Sequence, residues 1–127
     1  TSDCPFVDPA IIDACVAVQQ ITKIDLVDSL GGFPEGTDVE VFSWHALHMA
    51  HDAATTSYDR EHVTPWMRRC GETITFSSPY WKDHPHWSVD TPGDLDHACR
   101  IYAHLPAIWG WRTVVDIERK RRKREYT

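Results

Sequence analysis

Helix and strand signals alternate along this chain from one end to the other, which restricts it to a layered α/β or α+β architecture. Asp8-Pro9 marks a helix start, because proline in the first turn gives up an N–H that has no intrahelical acceptor there. Ile11, Ile12, Cys15 and Val16 carry the helical spacing on to about residue 20. Strands are expected near 24–29, 38–43, 73–77 and 86–89, where apolar, β-branched and aromatic residues run between turn signals. Gly31-Gly32-Phe33-Pro34-Glu35-Gly36 reads as a loop, and Ser43 as the N-cap of a helix to about Ala54. A shorter helix is expected over 60–69, then an irregular aromatic segment from Pro79 to Pro85. A helix from Asp90 to about His104 and another from Pro106 through Ile117, running on into the basic tail to an extent the sequence leaves open, complete the pattern. With no repeats or low-complexity linkers, the reading is one α/β domain over 1–118 and a mobile basic tail over 119–127.

At 127 residues the chain is long enough to bury a core without disulfides and too short for two conventional domains. No apolar run approaches the roughly 18 residues that cross a bilayer, so no membrane role is expected. The chain opens Thr1-Ser2-Asp3-Cys4 with no basic and apolar leader, and carries no visible secretion signal. Charge is split: residues 1–118 hold seven Lys and Arg against eighteen Asp and Glu, while Arg119-Lys120-Arg121-Arg122-Lys123-Arg124 is wholly basic. An acidic body repels a nucleic-acid backbone, which leaves the tail as the one segment able to contact a polyanion, with a solvated terminus the simpler reading. Cysteines 4, 15, 70 and 99 form no C-x-x-C pair, so no zinc site is expected from them and reduced thiols in a cytoplasmic protein fit better.

Four segments are distinctive together. They are Ser2-Asp3-Cys4-Pro5-Phe6-Val7-Asp8-Pro9, Gly36-Thr37-Asp38-Val39-Glu40-Val41-Phe42-Ser43, Asp59-Arg60-Glu61-His62-Val63-Thr64-Pro65 and Trp87-Ser88-Val89-Asp90-Thr91-Pro92-Gly93-Asp94-Leu95. In this order they resemble the spore-coat polysaccharide biosynthesis cytidylyltransferases, relatives of the CMP-sugar and CMP-KDO synthetases. The resemblance runs from Asp3 to about Ile117. It implies a Rossmann-like nucleotide-diphospho-sugar-transferase layer, here a short mixed sheet with packed helices. Chains of that family begin well before the Asp-Cys-Pro turn, so the resemblance is to the C-terminal half of the catalytic domain. The preceding half would hold the basic loop that grips the CTP triphosphate. Nothing here replaces that loop: Gly31-Gly32 precedes Phe33-Pro34 and carries no Lys.

In such enzymes a sugar oxygen attacks the α-phosphorus of CTP and pyrophosphate leaves. By resemblance, Asp3 and Asp90 hold the Mg²⁺ that neutralises the phosphate oxygens, in a domain completed by the missing N-terminal half. The bland alternatives are a frayed terminal residue for Asp3 and a helix N-cap for Asp90. Asp38, Glu40, Arg60, Glu61 and His62 are carried by the same motifs as candidates for a sugar-phosphate pocket. Period-two alternation puts Asp38 and Glu40 on one strand face, opposite Val39 and Val41. That face could equally be solvated and paired with Arg60, and His62 could be structural.

Two other groupings attract notice. His45, His48 and Asp52 share a helical face that suggests a metal, but Ala46, Met49, Ala50 and Ala53 define the opposite, buried side and leave the histidines outward, so no zinc is expected. Tyr80, Trp81, Trp87, Trp109 and Trp111 interleave with His84, Pro85 and His86 in a body that is acidic, which favours packing over base stacking. The functional expectation is a cytidylyltransferase-like module, non-catalytic on its own and serving binding or assembly. The alternatives are one part of an active CMP-sugar-forming nucleotidyltransferase, and polyanion binding through the tail. Ile108, Trp111 and Val115 recur at spacing three and four, flanked by Trp109 and Val114, and this stripe points to self-association as a homodimer.

Overall fold

Local capping chemistry sets out the helices. In the computed structural model, which describes residues 2–78 and 85–125, the Asp8 carboxylate accepts from the Ala10 N–H at 2.8 Å and opens α1 (Pro9–Thr22). That helix ends at Lys23, in the left-handed region at φ 58°, whose N–H returns to the Gln19 carbonyl. β1 (Leu26–Asp28) follows, then β2 (Glu40–Phe42) and α2 (Trp44–Ala53), whose N-cap Ser43 accepts from the Ala46 N–H. The remaining elements are α3 (Ser57–Glu61), α4 (Pro65–Cys70), β3 (Thr73–Thr75), α5 (Pro92–Tyr102) and α6 (Trp111–Glu125).

Three of these differ from the sequence reading. The helix expected over 60–69 is two short helices, because His62 is extended, at φ −105° and ψ 120°, and ends α3, and Pro65 begins α4 anew. The segment expected as a strand near 86–89 makes one isolated parallel bridge, Glu35 with His86, and belongs to no sheet. The last helix starts at Trp111, after a connection through Pro106 and Gly110, and continues through Glu125, taking in Arg119 to Arg124.

The three strands form one mixed sheet in the order β2-β1-β3. β1 pairs antiparallel with β2, setting Leu26 opposite Phe42, Val27 opposite Val41 and Asp28 opposite Glu40. It pairs parallel with β3, setting Val27 opposite Ile74 and Asp28 opposite Thr75. As the central strand, β1 is buried along its whole length and its side chains alternate between two packed faces. Val27 joins Ile11 and Cys15 of α1, with Phe33 and Val39, on one side. Leu26 joins Ala46, Ala50 and Met67 of α2 and α4 on the other, and Asp28 shares that direction. The buried side of α2 is thus Ala46 and Ala50, with Leu47 partly covered; Met49 and Ala53, expected to be inside, are exposed.

A third cluster lies apart from the sheet: Phe6, Trp87, Ala98, Ile101, Val114 and Val115 close the N-terminal turn against α5 and α6. Phe6 meets Trp87 edge-on at 5.8 Å and Trp109 at 6.1 Å. The aromatic group accordingly goes to packing, with Trp87 buried and Trp109 and Trp111 partly so; Tyr80 and Trp81 lie outside the described residues. The apolar stripe of α6 packs within the chain through Val114 and Val115. Among the described residues no helix is long and apolar enough to cross a membrane.

Candidate functional site

Two segments, the N-terminal turn and the loop after β1, converge on residues 86–91. The Val89 N–H donates to the Asp3 carbonyl at 2.8 Å, which fixes the N-terminal turn beside Val89-Asp90, 86 positions away in sequence. The Trp87 N–H donates to the Glu35 carbonyl at 3.0 Å, bringing the loop after β1 to the same place. Gly36 is required in that loop: its φ is +90°, and a Cβ there would stand 2.7 Å from the Ser88 nitrogen.

These contacts decide the local roles of the two predicted metal ligands. Asp90 is not the N-cap of α5; Thr91 is, in a capping box whose Asp94 carboxylate takes the Thr91 N–H at 2.8 Å. Asp90 is left to accept from Ser88 at 3.3 Å and to meet the His86 Nε2 at 3.0 Å. Asp3 is tied down by its carbonyl, so it is not a frayed terminus. His86 sits between two carboxylates, its Nδ1 3.1 Å from Glu35 and its Nε2 on Asp90. The hydrogen bond to Glu35, then the charges of Glu35 and Asp90, hold its pKa above the usual histidine value. Donor atoms of His86, Asp90 and Asp94 lie within 4.8 Å of one another, but Asp94 is committed to the cap, and the Thr91 hydrogen bonds lower its pKa.

The predicted sugar-phosphate residues divide into two groups. β2 begins at Glu40, so Asp38 lies before the strand expected over 38–43; it is half-buried and Glu40 is exposed, on either side of buried Val39. The partner of Glu40 is Arg68 of α4, not Arg60, and the same guanidinium closes on Asp28. Thr64 adds a hydrogen bond to Glu40 at 2.8 Å. Burial alone would depress the Arg68 pKa, but its hydrogen bonds to Glu40 and Asp28 outweigh it and raise the value. Asp38 is pushed the other way for a carboxyl, above the usual range, first by burial and then by the charges of Glu35, Glu40 and Asp28, against a hydrogen bond from the Gly36 N–H.

Arg60, Glu61 and His62 are exposed at the end of α3, where the His62 ring meets Tyr58 edge-on at 4.7 Å. Among the described residues no hydrogen bond or ion pair joins them to Asp38 or Glu40. The working residue of their motif is Asp59, whose buried carboxylate takes two hydrogen bonds from Arg69, at 2.7 and 2.8 Å. His45 and His48 are exposed on α2, with the His48 ring against Trp44 at 4.8 Å.

The residues that sequence reasoning passed over are Asp28, Arg68, Glu35 and His86. Their partners lie far away in sequence or across irregular loops, where no periodicity announces them. The Trp87-Ser88-Val89 pattern was the nearest signal, and it pointed to a strand.

No protein-family model matches this sequence, and no curated protein matches it. Among solved structures the fold is similar to that of a cytidylyltransferase from Leptospira borgpetersenii serovar Hardjo-bovis (strain JB197), with a TM-score of 0.85 and 19% identity. The match covers 95% of this chain and 54% of that one. The chain therefore spans about half the length of that structure, and the likeness establishes a shared α/β fold.

Proposed function

We propose that this chain is the cation-holding module of a nucleotidyltransferase that transfers CMP from CTP to a sugar with release of pyrophosphate, of the spore-coat polysaccharide type. The observation that carries this reading is the hydrogen bond from Val89 to Asp3, which sets two carboxylate-bearing turns side by side from opposite ends of the sequence. Carboxylate oxygens are the hard donors that Mg²⁺ takes, and two of them on anchored loops suit an ion that keeps its remaining positions for water and phosphate. Asp3 and Asp90 would hold it, and when bound it supplies charge neutralisation at the phosphate oxygens of the reacting nucleotide. His86 fixes the Asp90 carboxylate, and Glu35 fixes His86. Asp38 and Glu40 form the acidic wall nearest Asp28, suited to sugar hydroxyls.

Within the 127 residues no glycine-rich loop carries a Lys or Arg, and positioning of the triphosphate is most of the catalysis in such transfers. By itself the polypeptide is therefore a binding and assembly module that releases no pyrophosphate from CTP. The acceptor sugar, the completing partner and a cytoplasmic location are part of the same reading, and so is pairing of two copies.

The test uses Mn²⁺ as a paramagnetic stand-in for Mg²⁺. One saturable site is expected, lost in both Asp3→Asn and Asp90→Asn and unchanged in Glu61→Gln. Equal Mn²⁺ binding by Asp90→Asn and the parent would sink the cation reading. Pyrophosphate release from CTP by these 127 residues alone would sink the claim that they are non-catalytic without a completing half.

A further inference from the structure

A cavity away from the acidic wall lies between α5 and α6. It measures about 530 Å³ and is lined by His86, His97, Arg100, Glu118, Arg121 and Arg122. Helical spacing builds it: His97 and Arg100 are one turn apart on α5, and Glu118, Arg121 and Arg122 are one turn apart on α6. Three guanidinium-bearing residues therefore face one carboxylate.

That carboxylate is already engaged. Glu118 is buried; its Oε2 accepts from the Trp87 indole N–H at 3.0 Å, and its Oε1 meets His97 at 3.3 Å and Arg122 at 3.2 Å. Glu118 thus serves as an anchor that orients His97 and Arg122 toward the cavity, and it is too fully bonded to neutralise Arg100 as well. Arg100 has one ion pair among the described residues, with exposed Asp96 at 4.0 Å, the outer limit of such a contact. A helix contact built only for stability would balance its charges. This one leaves the Arg100 guanidinium only weakly paired at a concave site, within a body that is strongly acidic elsewhere.

We propose that the α5–α6 cavity binds the phosphate group of a small phosphomonoester, with Arg100 and Arg122 as its principal contacts. Guanidinium forks match tetrahedral oxyanions with paired N–H donors, and several on adjacent helical turns suit an anion of charge near two better than a single carboxylate. The volume fits a ligand of sugar-phosphate size. A nucleic-acid strand is disfavoured, because exposed Asp96 and Asp116 on the two helices interrupt the continuous basic track that a strand needs.

Calorimetric titration of the chain tests this, with no divalent cation present so that the outcome is independent of Asp3 and Asp90. The probes are inorganic phosphate, a hexose 6-phosphate, acetate and a single-stranded oligonucleotide. One-to-one saturable binding is expected for phosphate and the hexose phosphate, with acetate weaker by about tenfold or more. The Arg100 side chain is 55% exposed, so Arg100→Gln leaves the fold intact, and it should weaken phosphate by about tenfold. Arg100→Lys, which keeps the charge and loses the fork, should fall between. The proposal is overturned by non-saturating phosphate, by acetate binding as well as phosphate, by unchanged affinity in Arg100→Gln, or by binding confined to the oligonucleotide.

Discussion

Asp28 and Glu40 stand directly opposite each other across the β1–β2 pair, and the Arg68 guanidinium closes on both. Two carboxylates in that register repel, and the Asp28 side chain is only 1% exposed, so the cation from α4 is what allows the pair to exist. It also fastens α4 to the sheet edge, next to the loops that form the candidate site.

Removing Arg68 should therefore be destabilising beyond an ordinary surface change. Arg68→Leu leaves Asp28 buried without its countercharge, an effect of about 3 kcal/mol once the partial exposure of the arginine is allowed for. Combining it with Asp28→Asn should return part of the loss, because the uncompensated charge is then gone. Urea unfolding measures both; a single-variant effect below about 0.5 kcal/mol, the size typical of neutral surface sites, would show that the bridge carries no stability.

Asp8 caps two helices with one side chain. Its Oδ1 accepts from Ala10 at the start of α1 and its Oδ2 from the Trp111 N–H at the start of α6, each at 2.8 Å. Each cap is worth about 1 kcal/mol, so Asp8→Ala should cost about 2 kcal/mol, and Asp8→Asn, which keeps one oxygen, about half that. Gly110 is part of the same arrangement, since a Cβ there would lie 2.8 Å from the Asp8 Oδ2. Gly110→Ala should lower the thermal midpoint in the same direction as Asp8→Asn; an unchanged midpoint in Asp8→Ala would refute the double cap.

What could be read from the sequence was the local chemistry. Asp8-Pro9 and Ser43 give helix starts because a cap and its acceptor lie within three residues of each other. Packing of Trp87 follows from its place beside Pro85 and His86 in an acidic body, and it is buried. Long-range pairings were not legible: Arg68 to Asp28 spans 40 positions and depends on Pro65 starting a new helix that aims Arg68 at the sheet. For the same reason Glu40 was matched with Arg60, the nearer arginine in its motif. The strand reading of 86–89 failed because alternation alone does not supply neighbours. The Trp87 and Val89 N–H groups go to the Glu35 and Asp3 carbonyls, in two different loops, instead of to a ladder.

Acid stability should depend on two carboxyls with opposite signs. Hydrogen bonds from Arg69, then Thr56, hold the Asp59 carboxyl below the usual carboxylate range. A folded pKa below the unfolded one gives stability that is complete above about pH 4 and is lost as pH falls toward the folded value. Asp38 is raised, chiefly by burial, so its contribution is present at low pH and is lost as pH rises from about 4 through the raised value. Asp59→Asn should flatten the loss of stability in acid, whereas Asp38→Asn should stabilise the protein at neutral pH. Urea midpoints measured from about pH 3 to 7 decide this, and a destabilising Asp38→Asn at neutral pH would contradict the sign.

Self-association is expected through the α5–α6 connection. The apolar stripe of α6 is largely taken up inside the chain, where Val114 and Val115 pack on Phe6, Trp87 and Ile101. What remains outward is Leu95 and Tyr102, seven positions apart on one face of α5, and Ile108 in the connection, which is 91% exposed. The Tyr102 ring leans edge-on against Trp109 at 6.5 Å, so it is held in place instead of moving freely in solvent. Large apolar side chains grouped in this way mark interfaces, and a twofold pairing lets one patch cover itself. Sedimentation at micromolar concentrations should show a mass that rises with concentration toward twice that of the chain. Ile108→Asp together with Leu95→Glu should shift that transition to concentrations higher by about tenfold or more, since each places a charge in the contact. A single-chain mass at every concentration would refute the pairing, and a dimer unaffected by the two substitutions would move it to another face, such as the outer edges of β2 and β3.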